Sequence, residues 1–586
     1  MKRLLLSMLT TASLATASPV AAADNGASAD LQKLFNEDWE LFLEQHPLSA
    51  TFYGDHRYND KLPHVSEEAN RNRKDITEAS IRRLDAIDRE ALSAVEQVNY
   101  DIFRRLKENQ IKEFEFRVYL MPITNRSGFH VAFPQLPDRV PLNTVTDYEN
   151  YVARLNGFKS YAREHIEVMT TGIAEGYVLP RIVLKGFEST IEPHIVEDPT
   201  HSLLYKPFKN FPDRVTVPDR QRLSEAGAMA IKNSVVPGYR LFLKFMRSEY
   251  LPAARLEIGA SYLPAGREFY EHRVHRYTTL PLAAEEIHDI GRAEVDRIRG
   301  EMEEIIAEVG FEGSFSGFVE FLRTDDRFYV DTPEDLMRRV AYVLKKMDGE
   351  LPGLFKTLPR MPYGIKPVPE YIAPKTTTAY YNRPAGDGTK AGLYYVNTYD
   401  LQSRPTYEIE ALSLHEAVPG HHLQIAIQQE LDGIPEFRRF TGFTVFVEGW
   451  ALYSERLGLE AGFYEDPYSN FGRLTYEMWR ACRLVVDTGM HYLGWSRQQA
   501  IDFMVDNTAL TKHNITTEVD RYISWPGQAL AYKMGELKIR ELRSMAQEQL
   551  GARFDVREFH DVVLGSGAVP LDILEANVNR WVSNSD

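Results

Sequence analysis

His415-Glu416-Ala417-Val418-Pro419-Gly420-His421-His422 is the stretch on which the reading of this 586-residue chain turns. A hydrolytic zinc takes three nitrogen or oxygen ligands, keeps one position for water, and needs a carboxylate beside it to accept the water's proton. The short solution is His-Glu-x-x-His on one helix, which puts both histidines on one face. Here position 419 is proline and the next histidines are His421 and His422, so the literal pattern fails. In a continuous helix the sixth residue is rotated by about 600° and the seventh by about 700°, which points to His422 as the partner of His415. Pro419-Gly420 removes a backbone donor and breaks helical regularity, and a bulge there would bring in His421 instead. The residues alone leave both open, with Glu416 as the base in either case.

The third ligand should be an acid on a following helix. Glu448 lies in the apolar run Phe446-Val447-Glu448-Gly449-Trp450-Ala451-Leu452-Tyr453, where a lone carboxylate is costly unless it is paired or bound to a cation. Glu455, seven residues on and near the same face, is placed to hold a ligand histidine. Arg480 and Arg483 precede Asp487 and His491. Arg483, Asp487 and His491 follow an i, i+4, i+8 spacing and share a face. One of the two arginines is a candidate grip for a peptide carboxylate and His491 a candidate oxyanion donor. The same spacing also fits an ion-pair ladder on a surface helix. Tyr522 and Tyr532 are candidate phenolic donors, and each also reads as core.

Working outward, 44% hydrophobic and 26% charged residues describe a globular chain able to build one large or two medium cores. A net charge of -16, with no basic arm and no Cys/His finger spacing, argues against nucleic acid as a partner. No phosphate-binding glycine loop and no Gly-x-Ser-x-Gly elbow occur, so nucleotide and serine-hydrolase chemistry have no support. At the N-terminus Lys2 and Arg3 precede an apolar stretch over 4–17 and an Ala-x-Ala site ending at Ala23. That order predicts a cleaved signal peptide, 1–23, and export to a periplasm. Cys482 is the one cysteine, which excludes an internal disulfide and a lipid-bearing cysteine at the cleavage site. The expectation is therefore a chain with no membrane anchor, not a lipoprotein.

Apolar residues at three- and four-residue spacings predict helix over 30–45, 67–106, 147–172 and 281–309. Thr332-Pro333-Glu334-Asp335 is a helix start. Prolines mark loops at 134–141 and 358–374. Thr- and Tyr-rich segments at 376–381 and 393–398, around the turn Gly386-Asp387-Gly388, predict a small β-hairpin. Helical pattern returns from 408, and no fixed-period repeat is present. The reading is a mainly α fold with a helical region over 24–370 and a hairpin plus helical catalytic region over 371–586, one integrated fold.

Four separated motifs carry a family resemblance: 415–424, Glu448-Gly449-Trp450-Ala451, Arg483 through Asp487-Thr488-Gly489 to His491, and Pro526-Gly527-Gln528-Ala529-Leu530-Ala531-Tyr532. With His46-Pro47-Leu48-Ser49-Ala50-Thr51 and Tyr53-Gly54-Asp55, the chain resembles the bacterial domain-of-unknown-function 885 family from about residue 31 to its end. That resemblance implies a gluzincin-like metallopeptidase similar to thimet oligopeptidase and angiotensin-converting enzyme, with two helical lobes flanking a deep channel. It implies one zinc ion on His415, His421 and Glu448, favouring His421 over His422. It also implies that the strand around 393–397, with Tyr395 and Asn397, is an edge on which an extended peptide lies. The expected function is hydrolysis of short peptides, with Glu416 as base, His491 and Tyr532 as oxyanion donors and Tyr522 in reserve. Arg483 or Arg480 would hold the carboxylate. The alternatives are a zinc hydrolase of another amide or ester, and a non-catalytic peptide-binding protein.

Overall fold

A computed structural model describes residues 26–370 and 373–585. The expected signal peptide lies outside the described residues. The chain is mainly helical, with one small sheet. In chain order, the helices that build the molecule around the site begin with α1 (Gly26–Gln45), α2 (Glu67–Asp85), α3 (Ala94–Glu115) and α4 (Val145–Glu175). They continue with α5 (Gly266–Thr278), α6 (Ala284–Glu308) and α7 (Pro333–Leu354). After the sheet come α8 (Ile409–Glu416), α9 (His421–Glu430) and α10 (Thr444–Leu457). The last are α11 (Pro467–His491), α12 (Lys512–Ser524) and α13 (Ala531–Leu550). Among the described residues no helix is long and apolar enough to cross a membrane.

Local chemistry sets the boundaries. The helical segment expected over 67–106 is two helices, because Ser93 caps a new one. The Ser93 Oγ accepts the Glu96 N–H, and the Glu96 carboxylate accepts the Ser93 N–H at 2.9 Å. Thr332 caps α7 through the Asp335 N–H at 3.1 Å, with Pro333 in the first turn. The stripe expected on 281–309 is present on α6, where Ile287, Val295, Ile298, Met302, Ile305 and Ile306 are buried.

The expected strand pair occurs as β2 (Ala379–Asn382) and β3 (Gly392–Val396), but it belongs to a three-stranded sheet. β1 (Tyr363–Pro367), inside the proline-rich stretch, pairs in parallel with β3 on its other side. β3 is therefore central, with its backbone groups used on both flanks. The edge-strand role expected for it is corrected by that pairing, since no third strand can add there.

Two large apolar clusters fill most of the interior. One gathers Phe35, Phe103, Trp450 and Leu574, and the other Phe158, Tyr239, Met478 and Ile523. α11 contributes Tyr476 and Leu484 to the first and Leu474, Met478, Cys482 and Val486 to the second, so it is buried on all sides. Its charged residues are consequently internal and must find partners. Glu477 pairs with Arg473 at 3.0 Å, with Arg297 of α6, and with the fully buried Lys533 of α13 at 2.8 Å. Lys533 also meets Glu294 at 3.0 Å and Glu536 at 2.9 Å, tying three helices together.

Candidate metal centre

α8 ends at Glu416 and α9 begins at His421, so residues 417–420 break the helix at the Pro-Gly pair. The Val418–Pro419 bond is cis. The break is held from both sides: the Gly420 N–H donates to Leu414 O at 2.9 Å, and the Trp450 indole N–H donates to Pro419 O at 2.8 Å. The fold has no room for a side chain at 420, where a Cβ would meet the Leu414 carbonyl oxygen at 2.5 Å. α10 reaches the site by crossing α13 at Gly449, where a Cβ would stand 2.5 Å from the Gly535 Cα.

This geometry gathers His415, His421 and Glu448, with one ligand atom from each lying within 4.8 Å of the others. His415 Nε2 is 3.6 Å and His421 Nε2 3.5 Å from the same Glu448 Oε2. Ligands about 2.1 Å from a tetrahedral ion stand ~3.4 Å apart, so these separations fit a small cation at the centre. Glu448 Oε2 and His421 Nδ1 are buried without a hydrogen-bond partner, and an orphaned carboxylate oxygen between two imidazoles is a donor set for a metal.

His415 is oriented by Glu455, which is fully buried and accepts from Nδ1 at 2.7 Å. Arg480 Nη2 lies 3.5 Å from the same carboxylate oxygen. Burial works against a charge on His415, but Glu448 and Glu455 outweigh it and lift the imidazole to about 9. A proton and a cation thus compete for one nitrogen. Burial pushes His421 down to about 4. Burial also opposes the charge on Glu448, yet the two histidines and Arg483 bring its carboxyl to about 2. Glu416, half-buried, is raised to about 7 by burial first, with Glu448 adding to the effect.

His422, the alternative ligand, points elsewhere. Its Nε2 donates to Met361 O at 3.0 Å and its Nδ1 accepts from the Tyr381 hydroxyl at 2.8 Å, pinning α9 to the sheet. His491 is corrected as an oxyanion donor: it is fully buried, its Nδ1 accepts the Ala260 N–H and its Nε2 donates to Tyr522 O. The ion-pair ladder on a surface helix falls with it, because Arg483, Asp487 and His491 are all internal. Asp487 accepts from the Tyr270 hydroxyl at 2.6 Å and from the Gly527 N–H at 3.0 Å, fixing the turn before Tyr532.

Tyr522 is likewise corrected. Its buried hydroxyl accepts from the Trp479 indole and the Arg483 Nε, both at 2.9 Å. Arg480 is occupied by Glu455, the Tyr476 carbonyl and the rings of Tyr476 and Trp479. Asn397 is fully buried and spends its amide on the carbonyls of Ala373, Thr376 and Thr377, so it is no substrate contact. Tyr395 stacks half-buried on Tyr380 at 4.8 Å. Tyr532 is half-buried, with Arg483 4.3 Å over its ring.

Two residues near the site went unread in the sequence. Tyr394, fully buried on the opposite face of β3 from Tyr395, is raised by burial and by the Glu416 charge. The alternation of the strand could have indicated it. Arg126, in a loop after α3, has Arg521, Glu518, Tyr532 and Arg483 as electrostatic neighbours, and no pattern in the sequence signals that.

The chain belongs to the family described as bacterial protein of unknown function (DUF885), whose model matches residues 47–578. Comparison with curated proteins finds no match. A solved structure described as "the putative lipoprotein from Colwellia psychrerythraea" is 30% identical, covers 95% of this chain and 99% of its own, and superposes with a TM-score of 0.91. A "putative lipoprotein of unknown function from Shewanella oneidensis" is 17% identical over 94% of this chain and 98% of its own, at a TM-score of 0.69. Metallocarboxypeptidase 1 of Trypanosoma cruzi is 13% identical over 96% and 99%, but its TM-score of 0.39 is too low to carry an argument. The expectation that the chain is not a lipoprotein is corrected by the 30% identical relative, which is named a putative lipoprotein.

Proposed function

We propose that the protein is a zinc-dependent metallopeptidase acting on short peptides. The observation that carries this reading is the buried, unpartnered Glu448 Oε2 facing two imidazole nitrogens, with Glu416 adjacent in sequence to one of them. His415, His421 and Glu448 would hold one zinc ion per chain. When bound, zinc supplies Lewis acidity to a carbonyl oxygen and to water.

The chain's own groups supply the rest. Glu416 accepts the attacking water's proton on a carboxylate oxygen and delivers it to the leaving amine nitrogen. Burial that favours its protonated form suits the delivery half of that exchange. Tyr532, whose hydroxyl has no hydrogen bond among the described residues, donates to the carbonyl oxygen as negative charge develops there. Glu455, backed by Arg480, keeps the His415 Nδ1 proton in place so that Nε2 faces the centre. The likeness to thimet oligopeptidase and angiotensin-converting enzyme, with a channel between helical lobes, belongs to the same proposal, as does the division near residue 370.

The test is a peptide-library digest read by mass spectrometry, using protein purified without chelator. Short peptides should be cut, cutting should stop after chelation, and zinc should restore it. Zinc-loaded protein that leaves every peptide intact while hydrolysing an ester or an amidated sugar would remove the peptidase reading.

A further inference from the structure

We propose that Arg126, Arg483 and Arg521 form an anion subsite beside the candidate metal centre, and that it takes the C-terminal carboxylate of the peptide, so that cleavage runs from the carboxyl end. This rests on the peptidase reading above.

Two guanidinium groups share one carboxylate in this cluster, and a third stands near them. Arg483 Nη2 lies 3.4 Å and Arg521 Nη2 3.0 Å from the same Glu518 Oε2. Glu518 and both of these arginines are buried. Arg126 has them as electrostatic neighbours, yet it makes no ion pair, and its guanidinium donates no hydrogen bond among the described residues. The cluster therefore holds an excess of two positive charges inside a chain whose net charge is -16. Arg483 Nη1 is also buried without an acceptor. A cationic N–H left unpaired in the interior is costly, and an incoming carboxylate oxygen relieves it.

The position suits a substrate terminus. The loop that carries Arg126 is held against α12 by the Ser524 hydroxyl, which donates to Asn125 Oδ1 at 2.9 Å. Arg126 itself is exposed, whereas Arg483 and Arg521 are buried. Arg483 stands one turn of α11 beyond Arg480, about 4.5 Å along the axis. Arg480 in turn touches the Glu455 carboxylate that orients His415. Tyr532, the proposed oxyanion donor, lies under Arg483 at 4.3 Å and so adjoins the cluster. Arginine forks match carboxylates in two-point geometry, and a linear peptide always carries a terminal one.

The experiment uses full-length Glu416→Gln protein loaded with zinc, which should bind peptide without turning it over. Calorimetric titration compares one tetrapeptide as the free acid, as its C-terminal amide, and as an amide carrying an internal glutamate. The free acid should bind at least about tenfold more tightly than either amide, and adding Arg126→Gln should erase the difference. In otherwise wild-type enzyme, Arg126→Gln should raise KM for free-acid peptides by about 10- to 100-fold, more than it lowers kcat, and Arg126→Lys should recover part of the loss. Equal binding of acid and amide, or a preference that survives Arg126→Gln, overturns the subsite while leaving the peptidase reading standing. A glutamate-bearing amide that binds like the free acid overturns the terminal assignment. Failure to bind any peptide removes the peptidase reading, and this inference with it.

Discussion

Replacing Gly420 by alanine adds one methyl group at the point where the candidate metal helix breaks. The φ of this glycine is −74°, outside the left-handed region, and the obstacle to a side chain is space. An added Cβ would lie 2.5 Å from the Leu414 carbonyl oxygen and 2.6 Å from the His415 carbonyl carbon, with the His415 oxygen nearer still. Real Cβ atoms keep at least 3.0 Å, so Leu414 must give half an ångström and His415 more. These are backbone atoms in the last turn of α8, held by the bonds from Ala417 N to Ser413 O and from Gly420 N to Leu414 O. The strain therefore passes to His415 on one side and His421 on the other. Metal sites tolerate only about 0.2 Å in ligand distance and functional constellations about 0.5 Å. Gly420→Ala should weaken zinc binding by about 100-fold or more and cost about 1–3 kcal/mol in the metal-free protein. Competition against a chromophoric chelator and urea denaturation read the two effects. Gly300→Ala, exposed in α6 with nothing within 4 Å of the added Cβ, is the control and should stabilise by about 0.5–1 kcal/mol. A Gly420→Ala protein with wild-type zinc affinity and an unchanged urea midpoint would refute this reasoning.

Three further outcomes follow from the geometry. Glu416→Gln should keep its zinc and lose turnover by about 10²- to 10⁴-fold, and near-native activity in that variant would remove Glu416 as the base. Lys533→Met strands the buried carboxylates of Glu294, Glu477 and Glu536, so urea denaturation should show a loss of about 3–5 kcal/mol, whereas a change below about 1 kcal/mol would mean the neighbouring arginines suffice. Burial opposes the charge on Glu113, but Arg273, His272 and Arg276 outweigh it and hold the carboxyl at about 2 against an ordinary 4.5. Its contribution is then fully present above pH 4.5 and is lost as pH falls through 2. Glu113→Gln should therefore be less stable at pH 7 by on the order of 3 kcal/mol, with the gap to wild type closing below pH 4.5, and a pH-independent gap would contradict the sign.

Much of the site was legible because its residue types are rare in their surroundings. Glu448 stands out in an apolar run, and His415-Glu416 marks a candidate metal helix without help from the fold. The choice between His421 and His422 was not legible, because rotation along an ideal helix assumes a helix that continues, and this one stops at Glu416. His491 was misread for a related reason. Spacing tells which residues share a face but not what the face meets, and the His491 end of α11 is packed against Ala260 and Tyr522. The hairpin was legible from its β-branched and aromatic content. Its place in the sheet was not, since β1 joins β3 by a non-local parallel pairing hidden among prolines. Arg126 lies more than 300 residues before Arg483 in an unpatterned loop, and only tertiary structure brings the two together.

Zinc content measured side by side in wild type, His421→Ala and His422→Ala, each purified without chelator, tests the metal centre most directly. One zinc per chain should be found in wild type and in His422→Ala, whose imidazole is spent on Tyr381 and Met361, while His421→Ala should have lost it. A wild-type chain without stoichiometric metal, or a His421→Ala chain that keeps it, would contradict the centre formed by His415, His421 and Glu448.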